Sequence, residues 1–151
     1  MISFQSINVN LPPINRPLIT AWVKRVADSY NLSVGNVAYI FVDDEKILEV
    51  NRQYLGHDYY TDIITFDYCT TRCISGDLFI SLDTVCSNSQ LLHTSYEDEL
   101  HRVIIHGILH LCGINDKGPG ERKKMERAED EALALLERIK AEAGAQETCT
   151  T

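Results

Sequence analysis

His106 and His110 stand four residues apart in HGILHLCGIND, with Gly113 three residues on and Asp116 three beyond it. On a helix, residues i and i+4 share one face with Cβ atoms about 5–6 Å apart. Two imidazoles at that separation can bind one ion at about 2.0–2.1 Å. A glycine that ends the helix lets the chain turn back and brings Asp116 towards the same ion. Three protein ligands with an open fourth position are the layout of a catalytic rather than a structural zinc. The plainer alternative is a helix whose apolar core face happens to carry two histidines. His57, His93 and His101 form no comparable pattern, and His93 and His101 read as surface or helix-face residues. In metzincin proteases, whose motif has this spacing, a glutamate follows the first histidine as general base. Gly107 occupies that position here, which speaks against peptide cleavage.

The elements that must position these residues can be read from periodicity. Ile2, Phe4, Ile7 and Val9 suggest a first strand over 2–9 with a phase shift, and LPPINRP breaks it. Pro17 suits a helix first turn, and Leu18, Trp22, Val26 and Tyr30 recur at helical spacing through 31. NVAYIFV reads as a buried strand. Asp43 or Asp44 can cap a short helix with Ile47, Leu48 and Tyr54 inward. DIITFDY and DLFISL read as two strands joined through CTTRCISG, and SNSQLLHTSYEDEL gives no clear signal. Ser95 and Asp98 resemble a capping box and start a helix near 96. Its second half, with Val103, Ile104, Ile105, Ile108, Leu109 and Leu111, is apolar nearly all round, as a buried helix is. Gly113 ends it. A last helix spans 121–142 with Met125, Ala128, Ala132, Leu135 and Ile139 inward. The expected fold is α+β: a small mixed four-stranded sheet packed with helices, one of them a buried helix carrying the metal-binding histidines. Residues 1–143 form one domain, and the polar 144–151 reads as a disordered tail.

Composition narrows the classes. A chain of 151 residues, 44% hydrophobic and 24% charged, suits one soluble domain, and no apolar run approaches the roughly 20 residues of a membrane span. The absence of a basic, then apolar, leader points to the cytoplasm. Five cysteines without a CxxC read as free thiols, and Cys69 and Cys73 alone fall short of a four-ligand zinc site. A net charge of −8 disfavours broad, non-specific nucleic-acid binding but leaves room for a small basic groove. The local basic cluster GERKKMER reads as the solvated start of a helix.

HGILHLCGIND resembles the H-G-x-L-H-L-x-G-Y-D-H signature of the YbeY-type endoribonucleases, the bacterial rRNA maturation factors. LEVNRQYLGHDYYTDIITF is similar to that family's L-N-x-x-Y-R-x-x-D-x-x-T-D-V-L-S-F, GDLFIS to its G-D-I-x-I-S strand, and Glu99 falls at a family glutamate. The resemblance implies zinc, one ion per chain, on His106 and His110, with Asp116 where the family has its third histidine. Asn115 stands where the family has aspartate. Leu55 stands in place of a family arginine implicated in substrate handling; Arg52 or His57 are candidates to replace it. Arg102, Lys117 and Tyr54 are candidates to position RNA. Thr61, Asp62, Phe66 and Asp77 also match, and read equally well as residues that order their strands. The implied function is a zinc-dependent, single-strand-directed endoribonuclease in rRNA maturation and ribosome quality control, working with the small ribosomal subunit and its assembly proteins. The competing readings are a non-catalytic, zinc-stabilised assembly factor and a metalloprotease.

Overall fold

The computed structural model describes residues 1–57 and 61–149, with 145–149 in backbone alone. Asp58, Tyr59 and Tyr60 of the family-like segment, and the end of the expected tail, lie outside the described residues. The elements are β1 (Ile2–Ser6), α1 (Arg16–Ser29), β2 (Ser33–Val42), α2 (Asp44–Val50), a π-helical turn Asn51–Leu55, β3 (Ile63–Asp67), β4 (Cys73–Ser81), α3 (Leu82–Leu92), α4 (Tyr96–Leu111) and α5 (Glu121–Cys149). The strands form one sheet in the order β1-β2-β4-β3. β1–β2 and β2–β4 pair in parallel and β3–β4 antiparallel, so the sheet is mixed as expected.

Alternation along the strands sorts the two sheet faces. Val37, Tyr39 and Phe41 of β2 and Ile74, Leu78 and Ile80 of β4 join the main core with α1, α4 and α5. Ala38, Ile40 and Val42, with Ile64, Phe66 and Phe79, face the other way around Ile47 and Val50 of α2. Burying each large aliphatic side chain contributes about 1.5–3 kcal/mol, and the larger cluster fixes α4 between the sheet and α5. Two polar ties set the helix positions inside it. Tyr39 Oη donates to the Ile104 carbonyl at 3.1 Å, and Trp22 Nε1 donates to the Ala132 carbonyl at 2.7 Å.

Local chemistry explains the boundaries. Asn15, Asp43, Ser81 and Ser95 each accept a backbone N–H from the first turn of their helix. Gly113 follows α4 with φ of +97°, its N–H bonded to the His110 carbonyl and that of Ile114 to the Leu109 carbonyl, so the chain reverses there as the glycine suggests. Several expectations need correction. α3 lies where no element was evident. Tyr54 is not inward but 61% exposed, because the chain leaves α2 through a π turn that rotates the helical face. α5 continues past the expected end at 142. His101 takes the helix-face rather than the surface alternative: it lies on α4 and is buried, its ring edge-on to Trp22 at 6.0 Å between centroids.

Candidate active site

α4 is built to present one face to a cavity. Its apolar positions are buried against the sheet and α1, while Glu99, Arg102, Val103 and His106 line a recess of about 650 Å³. Asp62 enters from the loop before β3, Asp116 from the loop after α4, and Arg122, Glu126, Glu129 and Asp130 from α5. Gly107 is the residue that lets α4 approach so closely. A Cβ there would stand 2.9 Å from Ile63 Cδ1 and 3.1 Å from Leu78 Cδ2. The position after the first histidine thus faces the sheet, not the cavity, and a glutamate at 107 has no route to the chemistry.

His106 is held from both sides. Its Nδ1 lies 2.7 Å from Glu129 Oε2 and its Nε2 3.4 Å from Asp116 Oδ2. A carboxylate can only accept, so the Glu129 contact places a proton on Nδ1. Burial works against charge on this ring, but the Glu129 hydrogen bond and charge, then Asp116 and Asp62, outweigh it and hold its pKa above the usual histidine value. Glu129 is itself buried and also accepts from Arg102 Nη1 at 2.9 Å, while Arg102 Nη2 donates to Asp130 at 2.8 Å. The cavity therefore has an ordered chain, Asp130–Arg102–Glu129–His106–Asp116. Two further carboxyls are pushed towards their neutral forms. Burial raises Asp62 against the pull of His106, and burial with the charges of Asp62 and Glu129 raises Glu99 despite Arg102. A buried carboxyl with a raised pKa can retain a proton to donate.

The expected zinc site does not assemble. Asp116 does reach His106, but His110 is exposed one turn further along α4, near enough to Asp67 for their charges to interact. His106 is turned towards α5 by Glu129. Among the described residues no group of three or more His, Cys, Asp or Glu side chains is arranged to hold a metal ion. The donor set His106, His110 and Asp116 therefore does not fit one zinc per chain, and the buried helix α4 is not a metal-binding helix. Zinc dependence, in the nuclease and the zinc-stabilised readings alike, falls with that geometry. The cysteines Cys69, Cys73, Cys86 and Cys112 are free thiols; burial pushes Cys69 and Cys112 up to about 11.

Of the five side chains expected to handle RNA, Arg102 lines the cavity, and Tyr54 is exposed on the π turn outside it. Arg52 and His57 are exposed on and after the π turn, and Lys117 is exposed in the loop after α4, outside that lining. Glu129 was not anticipated. Its only sequence signal is an acid at an otherwise apolar, inward position of α5, between Ala128 and Ala132. Asp62 was visible only as a match to the family's T-D pair.

The fold, a mixed four-stranded sheet packed with helices, is shared with a solved structure. The solution structure of TM1509 from Thermotoga maritima aligns with a TM-score of 0.64 over 97% of this chain and 93% of that one, at 24% identity. The sequence model of the endoribonuclease YbeY family matches residues 3–137. The chain is 66% identical to endoribonuclease YbeY of Phocaeicola vulgatus, covering 90% of this chain and 99% of that protein. It is 63% identical to the Bacteroides thetaiotaomicron protein of the same description, covering 89% and 98%. The chain belongs to the YbeY endoribonuclease family. No described helix is long and apolar enough to cross a membrane.

Proposed function

We propose that this protein is an RNA-processing endoribonuclease whose reaction takes place in the His106 cavity. The observation that carries the proposal is the Glu129–His106 hydrogen bond inside a carboxylate-lined cavity, in a chain of an endoribonuclease family. Glu129 holds the imidazole with its proton on Nδ1. In the neutral ring Nε2, beside Asp116, carries no hydrogen and takes a proton from the attacking oxygen. The raised pKa makes the ring a stronger base. Asp62, biased towards its neutral form, is placed to return a proton to the leaving oxygen. The phosphate enters beside Arg102, fixed by two carboxylates, and Arg122 at the rim. Six carboxylates line the same cavity, so raised pKa values at Asp62 and Glu99 also lower its negative potential towards a phosphodiester.

The family resemblance extends the proposal to rRNA as substrate, the small ribosomal subunit and its assembly proteins as partners, and the cytoplasm as location. Arg52, His57 and Lys117 are proposed to contact RNA outside the cavity, where their exposure leaves them reachable. Gly107, packed on the sheet, favours this reading over a protease. The test is cleavage of an oligoribonucleotide by purified protein and by His106→Ala. Loss of cleavage by about 10²-fold or more is expected, and undiminished cleavage by a folded His106→Ala protein would refute the proposal.

A further inference from the structure

The cavity around His106 does not end at its rim. The loop after α4 and the first turns of α5 separate it from a second groove of about 420 Å³. Adjacent residues serve the two sides: Asp116 and Arg122 line the cavity, while Asn115 and Lys124 line the groove with Tyr30, Ile114 and Arg127. The shared rim is the most basic part of an acidic chain. Lys117, Arg122, Lys123, Lys124 and Arg127 fall within eleven residues that hold two acids, Glu121 and Glu126, whereas the whole chain carries −8. Helical spacing gathers the cations further. Lys123 with Arg127 are four apart and Lys124 with Arg127 three apart, so they share one exposed side of α5. Lys124 is 3.5 Å from the half-buried Glu121 and Arg122 is 3.5 Å from the exposed Glu126, surface pairs whose cations a stronger anion can recruit. Among the described residues Lys117, Lys123 and Arg127 make no ion pair. Two acids, Glu121 and Glu131, also line the groove.

We infer that an RNA strand seated in the His106 cavity continues over this rim, with its backbone phosphates held by Lys123, Lys124 and Arg127 and its course limited by the groove beyond Asn115. The inference rests on the RNA-cleavage reading and gives it a direction, from the cavity over the N-terminal turns of α5. A contact of this kind is sequence-independent and is felt only by strands long enough to reach it. It also reconciles RNA binding with an acidic protein, because the attraction is confined to one ridge.

The experiment compares wild type with Lys124→Ala/Arg127→Ala. Both positions are exposed, and alanine is the best helix former, so α5 is preserved; circular dichroism checks this. Fluorescein-labelled single-stranded RNAs of about four and about sixteen nucleotides are used as probes, with anisotropy for binding across a salt series and single-turnover assays for cleavage. For the long strand, the variant should bind more weakly, and its salt slope should be shallower by about 1.4, at roughly 0.7 for each phosphate no longer neutralised. The short strand should be bound and cut equally by both proteins. An unchanged slope and affinity for the long strand, with wild type cutting it, would overturn the ridge and leave the nuclease reading intact. Wild type that binds with the predicted slope difference but does not cut supports the ridge and refutes the cleavage reading. Wild type that binds neither strand refutes both.

Discussion

His106 reads in the sequence as one member of a pair, whereas in the fold it is one end of a chain of carboxylates and a guanidinium. The spacing of the two histidines was legible because a helix converts four residues into one shared face. The partner that decides what His106 does was not, because Glu129 lies on another helix and no local pattern records which α5 side chain meets α4. Spacing also cannot say where two imidazoles turn: Glu129 draws His106 inward, while His110 stays in solvent. If Glu129 sets the ring's orientation and tautomer, Glu129→Gln should lower kcat by about two orders of magnitude while KM changes little, read in steady-state cleavage assays. Glu99 gives a separate, thermodynamic test. Its folded pKa is raised above the usual glutamate value, so the fold favours the protonated form. Stability is then undiminished at pH values below the unfolded pKa near 4.3 and is lost as pH rises through the folded pKa. Glu99→Gln should therefore melt higher than wild type at pH 7, with the two curves converging near pH 4. A lower melting temperature at pH 7 would show that the ionised carboxylate is needed to hold the cavity together.

The elements that were legible are those with one dominant period. β2, β4, α1 and α4 have regular apolar spacing and recognisable caps, and the structure places them within a few residues of expectation. α3 was illegible because LDTVCSNSQLL offers Val85 as its one large, fully buried side chain and presents Leu91 and Leu92 to solvent, 76% and 61% exposed. Helix formation there follows the Ser81 cap and packing along α4 rather than amphipathic pattern. Ser81 and Thr84 hydroxyls also donate to Asp44 Oδ1, each at 2.6 Å, which ties α3 to α2. Gly107 shows the reverse case, a residue visible in the sequence whose reason is tertiary. Gly107→Glu would drive a carboxylate between α4 and the β3–β4 surface at Ile63 and Leu78. Burial of that unpaired charge predicts loss of cooperative folding or a destabilisation of several kcal/mol in urea melts. A variant as stable as wild type would mean that α4 can lift from the sheet.

Across the whole molecule, the α+β class, the mixed sheet and the family were accessible from sequence, since they depend on element order and on a motif with many fixed positions. The assembly of α1, α4 and α5 on one sheet face was not, as it depends on contacts between residues from 27 to 110 positions apart. Trp22 is the clearest of these. Its indole fills the core and donates to the Ala132 carbonyl, joining α1 to α5. Trp22→Phe removes that donor and part of the ring, and should cost about 1–3 kcal/mol, lowering the melting temperature by several degrees for a chain of this size. Because α5 carries Glu129, the same variant should lose cleavage activity below its melting point if the α1–α5 junction positions the site, as activity assays across temperature would show.

The proposed cleavage depends on His106, whose ring Glu129 orients through Nδ1. The most direct measurement is single-turnover cleavage of one defined RNA by wild type, His106→Ala and Glu129→Gln, with each protein's fold verified and the same preparations compared. Wild type should cleave robustly, His106→Ala should lose about 10²-fold or more, and Glu129→Gln should lose about two orders of magnitude. Folded His106→Ala and Glu129→Gln proteins that cut at the wild-type rate would contradict that dependence.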